Sequence, residues 1–176
     1  MMALRHDGLR MVNRFASLPV LVFLFLASSA ASAVERKADL IVVHKQQRIM
    51  KLLSGGDLIR QYPIALGFDP QGPKRREGDG RTPEGAYRID WRNPNSAFHL
   101  SLHIDYPRQA DMPAAGSPID PGGDIMIHGL PDGFTADRIG HPSTDWTNGC
   151  IAVSDAQIEE IWHLVDDGTA VLILAQ

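Results

Sequence analysis

The chain has 176 residues, a formal net charge of −4 and 44% hydrophobic residues. That length accommodates a leader and one domain with a sizeable core. The acidic balance and the absence of a long basic run argue against a nucleic-acid partner, and one cysteine, Cys150, leaves no internal disulfide.

Residues 1–33 read as a secretory signal peptide. Arg5, Arg10 and Arg14 give a positive start, Leu18 to Ala27 is an unbroken apolar run, and Ala31-Ser32-Ala33 is a small-x-small cleavage site. The run is shorter than the ~20 residues that cross a membrane. The spacing predicts a mature start at Val34, export to the periplasm and a single domain over 34–176. Without the leader the net charge becomes −6.

The mature part reads mainly as strands. Asp39–His44, Arg48–Leu53 and Leu58–Leu66 look like successive hairpins joined by polar turns. Gly67–Glu84 is a loop rich in Gly, Pro and charge. Its Lys74-Arg75-Arg76 triplet reads as a solvated face, or as a rim that attracts an anionic substrate. Ala86–Trp91 is a strand. Phe98–Tyr106 alternates, with Leu100, Leu102 and Ile104 on one face and His99, Ser101 and His103 on the other. On a strand His99 and His103 stand ~13 Å apart, too far to share one metal. Pro107–Gly123 is a loop, Asp124–Gly129 a buried strand ending in His128-Gly129, and Leu130–Thr144 a long loop containing His141. Ser154-Asp155-Ala156-Gln157 is a capping box opening one amphipathic helix along Ile158, Ile161, Trp162 and Val165, which Gly168 should end. Thr169–Leu174 closes the chain as a strand.

Cys150 stands where a polar turn, Thr147-Asn148-Gly149, meets the strand-like Ile151-Ala152-Val153. A lone exported cysteine is either buried and inert or free for chemistry. A nucleophilic thiol needs a base, commonly histidine. His128, leaving a strand, is held more firmly than His141 on a loop. A nearby imidazolium can lower a thiol pKa. Backbone N–H groups of the Asn148–Cys150 turn are placed to meet an oxyanion. The chemistry expected is acyl transfer through a thioester.

Ile127-His128-Gly129 followed by Thr147-Asn148-Gly149-Cys150-Ile151 resembles the L,D-transpeptidase (YkuD-like) catalytic domain, whose signature is a His-Gly and then a Ser/Thr-x-Gly-Cys segment. Thr82-Pro83-Glu84-Gly85-Ala86-Tyr87 resembles the family's Thr-Pro-x-Gly-x-aromatic segment. Phe98–Leu102, Pro121–Asp124 and Asp145-Trp146-Thr147 are similar to a YafK-like subgroup. The resemblance implies a mainly β sandwich with little helix. It implies Cys150 as nucleophile, His128 as base, and Gly149, Asn148, Thr147 and Gly129 around the oxyanion and substrate, with no metal and no cofactor. Asn148 stands where the family often has histidine, Ala152 where it often has arginine, and the 22-residue step from His128 to Cys150 is long. The implied substrates are peptidoglycan stem peptides. The thioester on Cys150 would pass to an amine, giving a cross-link or attachment of an outer-membrane lipoprotein. Hydrolysis at the same site is the first alternative. A zinc peptidase lacks a His-x-x-x-His helix, and a non-catalytic wall-binding module would leave Cys150 inert.

Overall fold

The structure is a computed structural model and describes residues 36–175; the expected leader lies outside the described residues. Eight strands form one curled sheet in the order β3-β2-β1-β8-β4-β5-β6-β7. They are β1 (Ala38–His44), β2 (Ile49–Ser54), β3 (Asp57–Pro63), β4 (Gly85–Ser96), β5 (His99–Ile104), β6 (Met126–His128), β7 (Ile151–Ala152) and β8 (Val165–Leu174). β1 runs antiparallel to β2 and parallel to β8, and β6 runs parallel to β7.

β4 makes the curl. Gly85–Arg88 pair with β8, and Ile89 onward pairs with β5, so one strand belongs to both halves. The two halves share one core. Ile41, Val43, Met50 and Leu52 contribute from one side and Leu102, Ile104, Ile127 and Ile151 from the other, all fully buried. The expected sandwich is thus built from a single sheet folded over itself.

Helix α2 (Asp155–Leu164) covers part of this core through Ile158, Ile161 and Leu164. It opens as expected: Ser154 Oγ accepts the Gln157 N–H, and Gln157 Oε1 accepts the Ser154 N–H. It does not run to Gly168. Val165 is β-branched, buried and paired with Ala38, so sheet pairing takes over directly after Leu164. Gly168 lies inside β8 with φ 90°. A short helix α1 (Ala136–Ile139) interrupts the Leu130–Thr144 loop and is capped by left-handed Gly140.

Three differences from the sequence reading bear on the site. β3 stops at Pro63, which has no N–H to continue a ladder; residues 64–68 instead run behind the cysteine turn, with Ala65 bridging Ala152 and Gly67 bridging Thr147. The 67–84 loop is fastened to the body. Lys45 Nζ, buried, donates to Gly72 O at 2.7 Å, Thr82 O at 2.8 Å and Glu84 Oε1 at 2.9 Å. Within that loop Lys74 departs from the exposed Arg75 and Arg76: it is buried, and Nζ pairs with Asp79 at 2.9 Å. Asp79 also accepts N–H groups from Arg75, Arg76 and Arg81. Burial pushes its carboxyl up, but the Arg75 amide, the Lys74 ammonium and the other amides outweigh that and hold its pKa at about 2.

Candidate active site

β6 and β7 run side by side with Ile127 opposite Ile151 and His128 opposite Ala152. One step back, Met126 N–H donates to Cys150 Sγ at 3.4 Å, and the thiol donates to Asp124 O at 3.5 Å. Met126 and His128 are two residues apart on one strand and so share a face. Cys150 and His128 therefore stand diagonally on neighbouring strands. A strand spacing of about 4.8 Å and a rise of about 3.3 Å per residue put their Cα atoms about 8 Å apart, within reach of a thiol and an imidazole. Both line one cleft of about 990 Å³.

His128 is 3% exposed, and its Nδ1 is 2.7 Å from Gly129 O. A carbonyl only accepts, so Nδ1 carries the proton and Nε2 keeps its lone pair. Phe98 and Trp146 pack on the imidazole, with ring centroids 4.5 and 5.7 Å away. Burial pushes the His128 pKa down to about 4, against the opposing pull of the Gly129 carbonyl and with added repulsion from His141. Burial likewise pushes the Cys150 thiol up; the Met126 N–H pulls it down, Asp124 pushes it up and Lys74 pulls it down. The resting pair is thus neutral imidazole and protonated thiol. The preformed imidazolium–thiolate pair considered from sequence is not favoured, because desolvation penalises both charges.

The turn before the sulfur is tightly tied. Thr147 Oγ1 donates to Cys150 O at 2.8 Å and accepts the Gly149 N–H at 3.1 Å. Thr147 N–H donates to Leu66 O at 3.1 Å, and its carbonyl accepts Phe68 N–H at 2.9 Å. Asp145 Oδ1 takes the Leu66 N–H at 2.9 Å, while the Asp145 carboxylate receives Arg48 through Nε at 3.0 Å and Nη2 at 2.6 Å. Gly149 has φ 131°, and a Cβ there would lie 2.7 Å from Arg81 O. Only glycine fits both the dihedral and the space.

These contacts sort the four residues expected around the oxyanion and substrate. Asn148 is exposed and lines the cleft. Thr147 lines it too, but its hydroxyl is spent on the turn. Gly149 shapes the turn, and its N–H is already taken; among the described residues the Asn148 and Cys150 N–H groups carry no internal bond. Gly129 holds the His128 tautomer through its carbonyl and donates its N–H to Phe98 O at 3.1 Å, so its backbone is not free for substrate. Its lack of a side chain lets α2 approach, since a Cβ would lie 2.7 Å from Asp155 Oδ1. Ala152, where the family often has arginine, is fully buried and exchanges both backbone bonds with Ala65.

The cleft is also lined by Trp146, by Lys74, Glu77 and Gly78, by Gly122–Met126, and by Asn93, Ser96, Phe98 and Ser101. Residues 130–144 do not line it, so His141 is buried outside the cleft. Sequence reasoning missed Met126, Asp124, Phe98 and Trp146. Phe98, Asp124 and Trp146 lie in the segments similar to the YafK-like subgroup, which was their signal; Asp124 also tolerates the left-handed conformation it adopts here, φ 52°, and Met126 carried none. His99 leaves the face of Ser101 and His103, because its own left-handed backbone, φ 64°, turns the ring to Glu159 of α2 at 2.7 Å. Among the described residues no group of three or more His, Cys, Asp or Glu is placed to hold a metal ion.

Residues 38–173 match the family described as the L,D-transpeptidase catalytic domain, YkuD. The chain belongs to this family. It is 30% identical over 143 residues to YafK of Escherichia coli (strain K12), assigned as an L,D-transpeptidase, covering 77% of this chain and 49% of that protein. Among solved structures, Bd1075 of Bdellovibrio bacteriovorus is 25% identical with a TM-score of 0.56, over 79% of this chain and 48% of that one. Pgp2 of Campylobacter jejuni, described as a helical cell shape determining protein, is 24% identical with a TM-score of 0.59, over 79% of this chain and 48% of that one, a likeness of fold. The chain thus spans about half the length of the relatives it matches.

Proposed function

We propose that this L,D-transpeptidase domain acts outside the cytoplasm, after loss of residues 1–33, on peptidoglycan stem peptides through a thioester on Cys150. The observation that carries the reading is one cleft holding a thiol and, on the neighbouring strand, a buried imidazole whose Nε2 keeps its lone pair. Cys150 Sγ attacks the carbonyl of the L-centre of diaminopimelate while its proton passes to His128 Nε2. Because both groups rest neutral, attack and proton transfer are coupled. The oxyanion meets the free N–H of Cys150, with that of Asn148 beside it. Collapse breaks the peptide bond, His128 returns the proton to the leaving amine, and terminal D-alanine departs. An incoming amine then loses its proton to His128 as it takes the acyl group and restores the thiol. A stem-peptide amine gives a cross-link, and a lysine of an outer-membrane lipoprotein gives an attachment.

Hydrolysis is the second reading, and one observation favours it. The Leu130–Thr144 loop, long enough to wall a second cleft for an acceptor, does not line the cleft that holds Cys150. Incubation with a disaccharide tetrapeptide, read by intact-protein mass, should show an acyl adduct absent from Cys150→Ala. Full turnover in Cys150→Ala would overturn the mechanism. Titrating an amine acceptor then divides the readings: exchanged product at millimolar amine supports transfer, and tripeptide formed at a constant rate with no adduct replaces it by hydrolysis.

A further inference from the structure

The sheet face that carries the cleft continues one row beyond it. Asn93 is opposite Ser101 and Ser101 opposite His128; all three line the cleft. The adjacent row runs Trp91–His103–Met126, ending at the sulfur of Cys150. On β4 the register shifts between Ile89, opposite Ile104, and Trp91, opposite His103, so Asp90 is an extra residue. A bulge of this kind re-aims side chains. Here it brings Asp90 and Trp91 onto the same imidazole. Asp90 Oδ1 lies 2.6 Å from His103 Nδ1, and the indole stacks on the ring at 4.9 Å and 17°. The carboxylate fixes the proton on Nδ1, and among the described residues Nε2 has no partner. Arg92, one residue on, points to the opposite face and covers Trp162 of α2. Trp91 remains 40% exposed. A large aromatic held flat on a hydrogen-bonded support, and left open, is poorly explained by core packing.

We propose that Trp91, supported by His103 and Asp90, is a stacking platform for the muramyl sugar ring of the donor glycan, a binding site that rests on the peptidoglycan reading of Cys150. The electron-rich face of an indole attracts the C–H groups lining one face of a pyranose, and the second Asp90 oxygen and His103 Nε2 offer acceptors to its hydroxyl and acetamide groups. The spacing fits. Three strand spacings of about 4.8 Å separate Trp91 from Cys150, about 14 Å in all. Three extended stem residues behind the reacting carbonyl reach about 10 Å, and the lactyl ether joining stem to sugar adds the remainder.

The test compares two donors, a free stem tetrapeptide and the disaccharide tetrapeptide. The wild type should show the lower KM for the disaccharide form. Trp91→Ala should raise that KM about five- to tenfold, to the level of the free peptide, with kcat and the free-peptide KM unchanged; His103→Ala should follow it and Trp91→Phe should retain most of the preference. Equal effects on both donors, or no preference in the wild type, would overturn the platform. A second readout separates this proposal from the one it rests on. Titration with the peptide-free N-acetylglucosaminyl-N-acetylmuramic acid disaccharide should change tryptophan fluorescence in the wild type and not in Trp91→Ala. If neither donor turns over, the reading of the Cys150 site fails and this titration decides alone: a Trp91-dependent change upholds the platform, and no change overturns it.

Discussion

Acidification should weaken the fold through His128. The unfolded chain holds histidine near 6.5, and the folded protein holds His128 at about 4. As pH falls, the unfolded state takes up the proton first, so stability drops. Its contribution is complete above about pH 6.5, is lost through the window between 6.5 and 4, and levels off below. At about 1.36 kcal/mol per pH unit the full loss is on the order of 3 kcal/mol, about 2 of it by pH 5. His141, pushed down by burial, adds loss of the same sign. The assay is urea unfolding at pH 7 and pH 5. With slopes of about 1–3 kcal/mol per molar urea, the wild-type midpoint should fall by roughly 0.7–2 M. His128→Gln should flatten that dependence by about 2 kcal/mol. Identical pH dependence in variant and wild type would refute the burial argument. The Asp79 window is separate, since its stabilisation is present above about 4 and is lost as pH falls toward 2.

His128→Ala should lower turnover by about 10²–10⁴, and His141→Ala, outside the cleft, far less; the reverse order in kcat/KM would move the base to His141. Alkylation of the free enzyme by iodoacetamide should be slow at pH 7 and accelerate only above the ordinary thiol range, because burial pushes the Cys150 thiol up; rapid labelling at pH 6 would indicate a standing thiolate. Asp145→Ala should cost about 2 kcal/mol by denaturant midpoint, since it leaves the Arg48 guanidinium and the Leu66 N–H without their shared acceptor; a change under 0.5 kcal/mol would show the clamp to be dispensable. N-terminal sequencing of the exported protein should begin at Val34, and retention of residues 1–33 would favour a membrane anchor.

The parts of this fold that were legible in the sequence are those where local chemistry and tertiary packing agree. Ser154 and Gln157 start α2 by bonds within four residues, and the β-branched runs of β1 and β8 favour strand wherever they are placed. Gly168 misled because the helix end was decided by Val165 meeting Ala38, a contact 127 residues distant in sequence. Cys150 and His128 could be paired from sequence because their types and neighbours are restrictive, and the fold sets both along one cleft. Met126 was not, since its part is played by a backbone N–H that any residue supplies. The Arg48–Asp145 pair joins residues 97 positions apart and leaves no local pattern.

A protonated thiol is at first sight a poor nucleophile. The export proposed above would give it a purpose. Outside the cytoplasm thiols meet oxidants, and it is the thiolate that climbs the oxidation ladder. Desolvation outweighs the pull of the Met126 N–H, and Asp124 O receives the thiol proton at rest, which keeps Cys150 in the less reactive form. The same desolvation lowers His128 to about 4, which keeps Nε2 unprotonated above that pH. Neither group is activated by the other beforehand. In the proposed mechanism the thiolate forms only when a carbonyl is in place to accept its electrons and the turn's amides are in place to accept the resulting charge. On that mechanism the arrangement protects a lone cysteine between turnovers and makes substrate positioning, rather than thiol acidity, the quantity on which the rate depends.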